Sequence, residues 1–264
     1  MTDVRSIAAL GSSFAAGPGI TPIVDRAARR SGRNYPHLVA GALGARLTDL
    51  TVSGATTETI LSRPQRVFRH VFPPQIDGVP RDADLVTITV GGNDLGYAGA
   101  MLRLGIAARL DSDPFTRPVG ALLRRGAAPA GSVADVERAG AGLARIVGAV
   151  RDRAPDARVL LVDYPTVLGD DTVRGPAAPF DEITREALRR LGSRVDQVFA
   201  TAADTSGAEL VRASEASRAH ALGSAEPWVT GLPERLRDLR TTMPYHPNAT
   251  GMAAVADLIL ALLS

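Results

Sequence analysis

Four short segments carry the groups that acyl transfer through a serine requires. They are Gly11-Ser12-Ser13-Phe14, Ser53-Gly54-Ala55-Thr56-Thr57, Gly91-Gly92-Asn93-Asp94 and His246-Pro247-Asn248. Together they offer a hydroxyl, a flexible backbone amide, a side-chain amide donor and an imidazole. Each segment alone has an ordinary structural reading. A serine after a strand is commonly a turn or helix-cap residue, Gly54 reads as a turn glycine, and Asn93-Asp94 as a helix N-cap pair. His37, His70 and His220 lie in a helical pattern or among arginines and read as packing or surface histidines.

Such groups act together only if the chain brings them to one place. Residues 6–10 form a short apolar run closed by Gly11, and residues 84–90 (DLVTITV) are a row of β-formers closed by Gly91-Gly92. Residues 158–163 (RVLLVD) follow Pro155 as a third continuous apolar strand, with shorter strands at 46–52 and 208–211. Between them, residues 35–45, 133–153, 180–203 and 251–263 carry apolar positions at helical spacing. Strands apolar on both faces that alternate with helices indicate a parallel sheet covered on both sides. In such a sheet ligands bind beyond the carboxyl ends of the strands. Three of the four segments follow strands, and the fourth precedes the last helix. One α/β domain over residues 1–264 is expected, interrupted by loop-rich insertions at 97–131 and 166–179.

With the four segments in this order the chain resembles the SGNH, or GDSL-type, serine hydrolases and esterase-lipases, which draw Ser, Gly, Asn and His from four blocks in that order. The resemblance spans the chain from Ile7 to the last helix. It implies a three-layer α/β/α sandwich with a flavodoxin-like parallel sheet of about five strands. It also implies that Ser13 attacks the ester carbonyl, with His246 as general base and then acid. The oxyanion would be met by the N–H groups of Ser13 and Gly54 and by the Asn93 side chain.

Two positions depart from the family pattern. Ser12 stands where G-D-S has its aspartate, so altered hydrogen bonding is expected in that loop. Met243 stands three residues before His246, where D-x-x-H supplies an orienting carboxylate. Some relatives use a Ser–His dyad with a main-chain carbonyl near that position, and the segment Glu226-Pro227-Trp228-Val229 resembles that subgroup. The resemblance therefore points to a dyad with the Met243 carbonyl as orienter, and Asp238 or Glu234 as carboxylate alternatives.

Composition narrows the field further. The chain of 264 residues has no cysteine and no lysine, which excludes disulfides, a thiolate nucleophile, a Schiff-base lysine and the P-loop lysine. The pI near 9.5 accompanies a net charge of only +2, because few groups titrate between pH 7 and the tyrosines. No nucleic-acid partner follows from it. Residues 11–19 lack both phosphate-loop patterns, and Asp111, Asp113, Asp170 and Asp171 read as solvated loop charge, so no cofactor or metal is expected. The longest apolar stretch, 252–263, contains Asp257 and is too short for a membrane span. With no signal-peptide core at residues 1–10, the expected compartment is the cytoplasm. Residues 98–110 read equally as an apolar wall for an acyl group or as a helix on the core. Phe14, Tyr97, Phe115 and Trp228 lie close to the four segments, so Phe14, Tyr97 and Trp228 are the expected substrate-pocket residues. An ester hydrolase is the leading reading. An acyltransferase, thioesterase or carbohydrate O-deacetylase on the same site is the alternative, and a silent binding protein that keeps the fold is the second.

Overall fold

The structure, a computed structural model, describes residues 4–111, 113–125 and 131–264. In chain order its elements begin with β1 (Ser6–Gly11), α1 (Ser13–Ala16), β2 (Ile23–Asp25), β3 (Arg30–Ser31), α2 (Tyr35–Leu43) and β4 (Arg46–Asp49). Then come α3 (Thr57–Leu61), β5 (Gln65–Val67), β6 (His70–Phe72), β7 (Leu85–Thr89), α4 (Tyr97–Leu110), α5 (Arg117–Arg125) and α6 (Val133–Arg153). The chain finishes with β8 (Arg158–Val162), α7 (Glu182–Ser206), β9 (Glu209–Val211), α8 (Ala213–Ala216) and α9 (Ala249–Leu263).

Five strands form one parallel sheet in the order β4-β1-β7-β8-β9. The period-2 alternation of the strands divides their apolar side chains between two cores. Ala8, Leu10, Val86, Ile88, Val159 and Leu161 face one core with α6 and α7, whereas Ile7, Leu85 and Leu160 face the other with α2 and α9. Both faces are therefore buried, which is why these strands read as continuous apolar runs. This is the three-layer α/β/α arrangement expected from the sequence.

Helix boundaries follow local chemistry. Ser132 and Asp135 form a reciprocal capping box that starts α6, and Asp181 caps α7 through the N–H of Thr184. Asn248 caps α9 by accepting from the Gly251 N–H at 2.8 Å, so the cap stands one residue after Pro247. The expectation of loop at 97–131 is corrected: α4 and α5 occupy most of that segment, and residues 126–130 lie outside the described residues, as do residues 1–3. Residues 98–110 are thus a helix on the core, with Met101 fully buried and Gly105 against the Tyr245 ring. Residues 166–179 contain only turns and bends. Two antiparallel hairpins, β2–β3 and β5–β6, stand apart from the main sheet. Among the described residues no helix is long and apolar enough to cross a membrane.

Candidate active site

β1 delivers Ser13 to the carboxyl edge of the sheet, where Ser12 donates its N–H to the Thr89 carbonyl of β7 at 2.9 Å. Gly11 just before it is pinned twice by the buried Gln75 side chain, which accepts from its N–H at 2.8 Å and donates to its carbonyl at 3.0 Å. A β-carbon at Gly11 would come within 2.6 Å of the Thr89 carbonyl oxygen, so only glycine lets the two strand ends close together.

The decisive contact is between Ser13 and His246. Ser13 Oγ and His246 Nε2 are 2.8 Å apart although 233 residues separate them in the chain. The other ring nitrogen, Nδ1, lies 2.9 Å from the carbonyl of Pro244. A carbonyl can only accept, so Nδ1 carries the proton and Nε2 is left to accept from the Ser13 hydroxyl. Burial pushes the imidazole pKa down to about 4 against the opposing effect of the Pro244 hydrogen bond, and the charge of Arg29 lowers it further. The ring is therefore neutral at pH 7, the form in which it can take a proton.

The orienting carbonyl belongs to Pro244 and not to Met243, which corrects the sequence expectation by one residue. The reason lies in Tyr245, whose φ of 62° is left-handed and turns the chain so that the Pro244 carbonyl just before it faces the His246 ring. Such a conformation costs a β-carbon-bearing residue about 1 kcal/mol, and here the Tyr245 ring is fully buried against Phe180. Neither alternative carboxylate meets the imidazole, because both ring nitrogens are already engaged. Asp238 lies in a short 3-10 turn, its side chain half exposed beside Arg237, and the Glu234 carbonyl accepts from Arg109.

The segment Glu226-Pro227-Trp228-Val229 braces this loop. Asn248 donates from its side chain to the Pro227 carbonyl at 2.7 Å and from its N–H to the Trp228 carbonyl at 2.9 Å. Thr230 bonds both to the carbonyl of His246 and to the N–H of Tyr245. Val229 and Pro247 form an isolated antiparallel bridge.

The Asn93 side chain is tied to the loop that carries Gly54. Gly54 has φ 87°, which favours glycine, and Asn93 Nδ2 donates to the carbonyl of Ala55 at 2.9 Å. That bond uses one of the two amide protons and fixes where the second one points. Among the described residues neither the Ser13 N–H nor the Gly54 N–H has a protein acceptor. Asp94 anchors the neighbouring helix: its carboxylate accepts from the Thr57 hydroxyl at 2.6 Å and from the Thr57 N–H at 3.2 Å. Its role is to tie the Asn93 loop to the start of α3, and burial raises its pKa.

Sequence reasoning missed Tyr164, the second residue beyond the end of β8. Its hydroxyl meets Ser12 Oγ at 2.9 Å and the Gly92 N–H at 3.3 Å, joining the first and third segments. A β-carbon at Gly92 would lie 2.4 Å from that ring, so glycine is required for the approach.

The aromatic residues expected to line a pocket mostly do something else. Phe14 is buried, stacked on Tyr164 at 4.0 Å and 4.8 Å from the His246 ring. Tyr97 is buried in the same core cluster, and Trp228 stacks on His220 at 4.4 Å. Apolar burial favours these inward positions over exposure in a cleft, so the argument for an apolar acyl group from these rings lapses. Phe115 is exposed. A cavity of about 430 Å³ lined by Tyr97, Tyr164, Thr166, Asp196 and Arg218 lies behind this cluster and is not lined by Ser13 or His246. Asp111 and Asp170 are ion-paired with Arg124 and Arg189, in keeping with loop charge. Among the described residues no three His, Asp or Glu side chains cluster as metal ligands.

Known proteins resemble this chain over nearly its whole length. Residues 9–254 match the model of the GDSL-like lipase/acylhydrolase family. Lipase 2 of Streptomyces coelicolor is 31% identical over 97% of this chain and 85% of its own length. An esterase of Streptomyces scabiei is 26% identical over 96% of this chain and 85% of its own. The crystal structure of phospholipase A1 from Streptomyces albidoflavus NA297 shares the fold, with a TM-score of 0.74 at 22% identity over 98% of this chain and 99% of that one.

Proposed function

Since this chain belongs to the GDSL-like lipase/acylhydrolase family and is an ester hydrolase, we propose that it cleaves carboxylic esters through a covalent acyl-enzyme on Ser13. The observation that carries this reading is the 2.8 Å contact between Ser13 Oγ and the unprotonated Nε2 of a neutral His246.

In the first half-reaction Ser13 Oγ bonds to the ester carbonyl carbon while its proton passes to His246 Nε2. The resulting imidazolium keeps its Nδ1–H on the Pro244 carbonyl, which holds the ring in place and offsets part of the positive charge. The negative charge on the former carbonyl oxygen is met by the Ser13 and Gly54 N–H groups and by the remaining amide proton of Asn93. Collapse breaks the ester C–O bond, and the Nε2 proton goes to the leaving alcohol oxygen. In the second half-reaction water adds to the acyl carbon, its proton goes to Nε2, and Ser13 leaves as the restored hydroxyl.

A dyad suffices in this arrangement because the work of an orienting carboxylate, fixing tautomer and ring angle, falls to a carbonyl held by the Trp228–Thr230 brace. The Ser12 and Met243 departures leave the Ser13–His246 contact intact, which argues against a silent binding protein. Ser13→Ala is the direct test on short p-nitrophenyl esters. Hydrolysis is expected to fall to background with an unchanged circular dichroism spectrum, and retained activity would reject Ser13 as the nucleophile.

A further inference from the structure

The two hairpins outside the sheet have no part in the chemistry, yet both are fastened to the loop that carries Gly54. On the β5–β6 side, Gln65 Nε2 donates to the Ser53 carbonyl at 2.9 Å, and Gln75, just past β6, holds the Gly11 peptide. On the β2–β3 side, the Ala28 carbonyl accepts from the Ser53 N–H at 3.0 Å, and Arg30 donates twice to the Thr51 carbonyl. The two arms therefore border the candidate oxyanion loop from both sides.

Both arms expose apolar side chains. Phe68 at the tip of β5–β6 is 93% exposed and Val71 beside it is exposed, as are Ile23 and Val24 on the other arm. Phe68 also has φ 52°, a left-handed conformation usually filled by glycine or asparagine at a turn. Neither burial nor turn preference accounts for a phenylalanine there. A strained, solvent-facing aromatic at a loop tip is an outlier of the kind that marks a contact surface.

The arms are also basic. Arg66 and Arg69 flank Phe68 and Arg26 stands on the other arm, all exposed, and among the described residues none of the three has an ion-pair partner. Asp25, the one acidic residue on either arm, is partly buried and accepts from the N–H groups of Ala27 and Ala28. Exposed apolar residues flanked by arginines without an ion-pair partner suit a surface that is apolar inside and negatively charged at its skin.

We propose that the two hairpins, residues 23–31 and 65–72, seat this enzyme on an anionic lipid–water interface beside its catalytic loop. The proposal rests on the ester-hydrolase reading and adds where the substrate lies: an acyl ester presented at the membrane surface, between the two arms.

The test separates binding from turnover. Ser13→Ala protein, which cannot consume the lipid, is sedimented with vesicles of equal parts phosphatidylglycerol and phosphatidylcholine, and with vesicles of phosphatidylcholine alone. Binding to the anionic vesicles is expected, weakening with salt, with much less to the neutral ones. Adding Phe68→Ser with Val71→Ser should weaken binding by about tenfold or more. Arg66→Gln with Arg69→Gln should weaken it about fivefold for each arginine and flatten the salt dependence. The same arm substitutions in the active enzyme should leave hydrolysis of a soluble short ester unchanged. No binding to the anionic vesicles would overturn the proposal, as would equal binding to neutral ones or unaltered binding by the arm variants. Self-association abolished by Phe68→Ser would overturn it as well, by giving the tips to a second copy of the chain. Failure of soluble-ester hydrolysis in the wild type would instead count against Ser13 chemistry and leave the vesicle result to stand alone.

Discussion

His246 and Pro244 are two residues apart, and the imidazole Nδ1–H of the first donates to the carbonyl of the second at 2.9 Å. The histidine is thus oriented by its own loop, and no side chain from elsewhere in the chain is needed for that work. Asp238→Asn and Glu234→Gln are each expected to keep kcat/KM for a soluble ester within about threefold of wild type, since surface substitutions away from the site change little. A loss near the about ten-thousandfold seen when a triad carboxylate is neutralised would show that one of them reaches the ring during turnover.

The depressed pKa of His246 fixes the direction of the pH response. Activity needs the neutral imidazole, so kcat/KM should rise with pH through about 4 and be flat between pH 6 and 8. Linkage gives the stability trend. The unfolded chain takes up a proton near pH 6.5 that the folded one refuses until about 4, so stability contributed by this group falls as pH drops across that window. The full loss is roughly 3 kcal/mol. An acid limb of kcat/KM centred near 6.5 would contradict the buried, neutral ring.

Asn93 offers one amide proton to Ala55 and has one to spare. Asn93→Ala should lower kcat by about a hundredfold to a thousandfold with little change in KM, as for other oxyanion donors. Steady-state kinetics on a short ester reads this directly. A change confined to KM would place Asn93 in ground-state binding instead.

Two buried tyrosine hydroxyls should respond in opposite ways. The Tyr164 hydroxyl bonds Ser12 and the Gly92 N–H, so Tyr164→Phe strands both partners and should cost about 1–3 kcal/mol of unfolding free energy. The Tyr245 hydroxyl is buried against Gly105 and has no hydrogen-bond partner among the described residues. Tyr245→Phe removes that unmet group and should leave stability unchanged or raise it by about 1 kcal/mol. Urea unfolding of the two variants side by side decides it, and a destabilised Tyr245→Phe would reveal a partner for that oxygen.

These contrasts also explain which parts of the molecule could be read from the chain. β1, β7 and β8 announced themselves because strands buried on both faces must be apolar throughout, and α6 because its apolar residues recur at helical spacing. The hairpins β2–β3 and β5–β6 gave no signal, since strands of two or three residues are too short to alternate and neither turn contains Asn-Gly. α4 was obscured by small residues on several faces, Gly99, Ala100, Gly105 and Ala108, which blur the apolar stripe. In the site, side-chain chemistry marked Ser13, Gly54, Asn93 and His246, whereas the choice of Pro244 over Met243 depends on the backbone angle of Tyr245, which no side chain encodes. Tyr164 was within reach: it stands two residues beyond β8, where the same strand-end rule that singled out Asn93 applies. Gln75 was not, because a lone glutamine 64 residues from Gly11 has no pattern to betray it.

The central claim, a Ser13 nucleophile activated by His246, is tested most directly by a fluorophosphonate probe, whose fluoride an activated serine oxygen displaces to form a stable adduct. Intact-mass analysis followed by peptide mapping should show one adduct per chain, on the peptide containing Ser13, and none in Ser13→Ala or His246→Ala protein. An unlabelled wild type, or an adduct mapped to any other serine, would contradict the account.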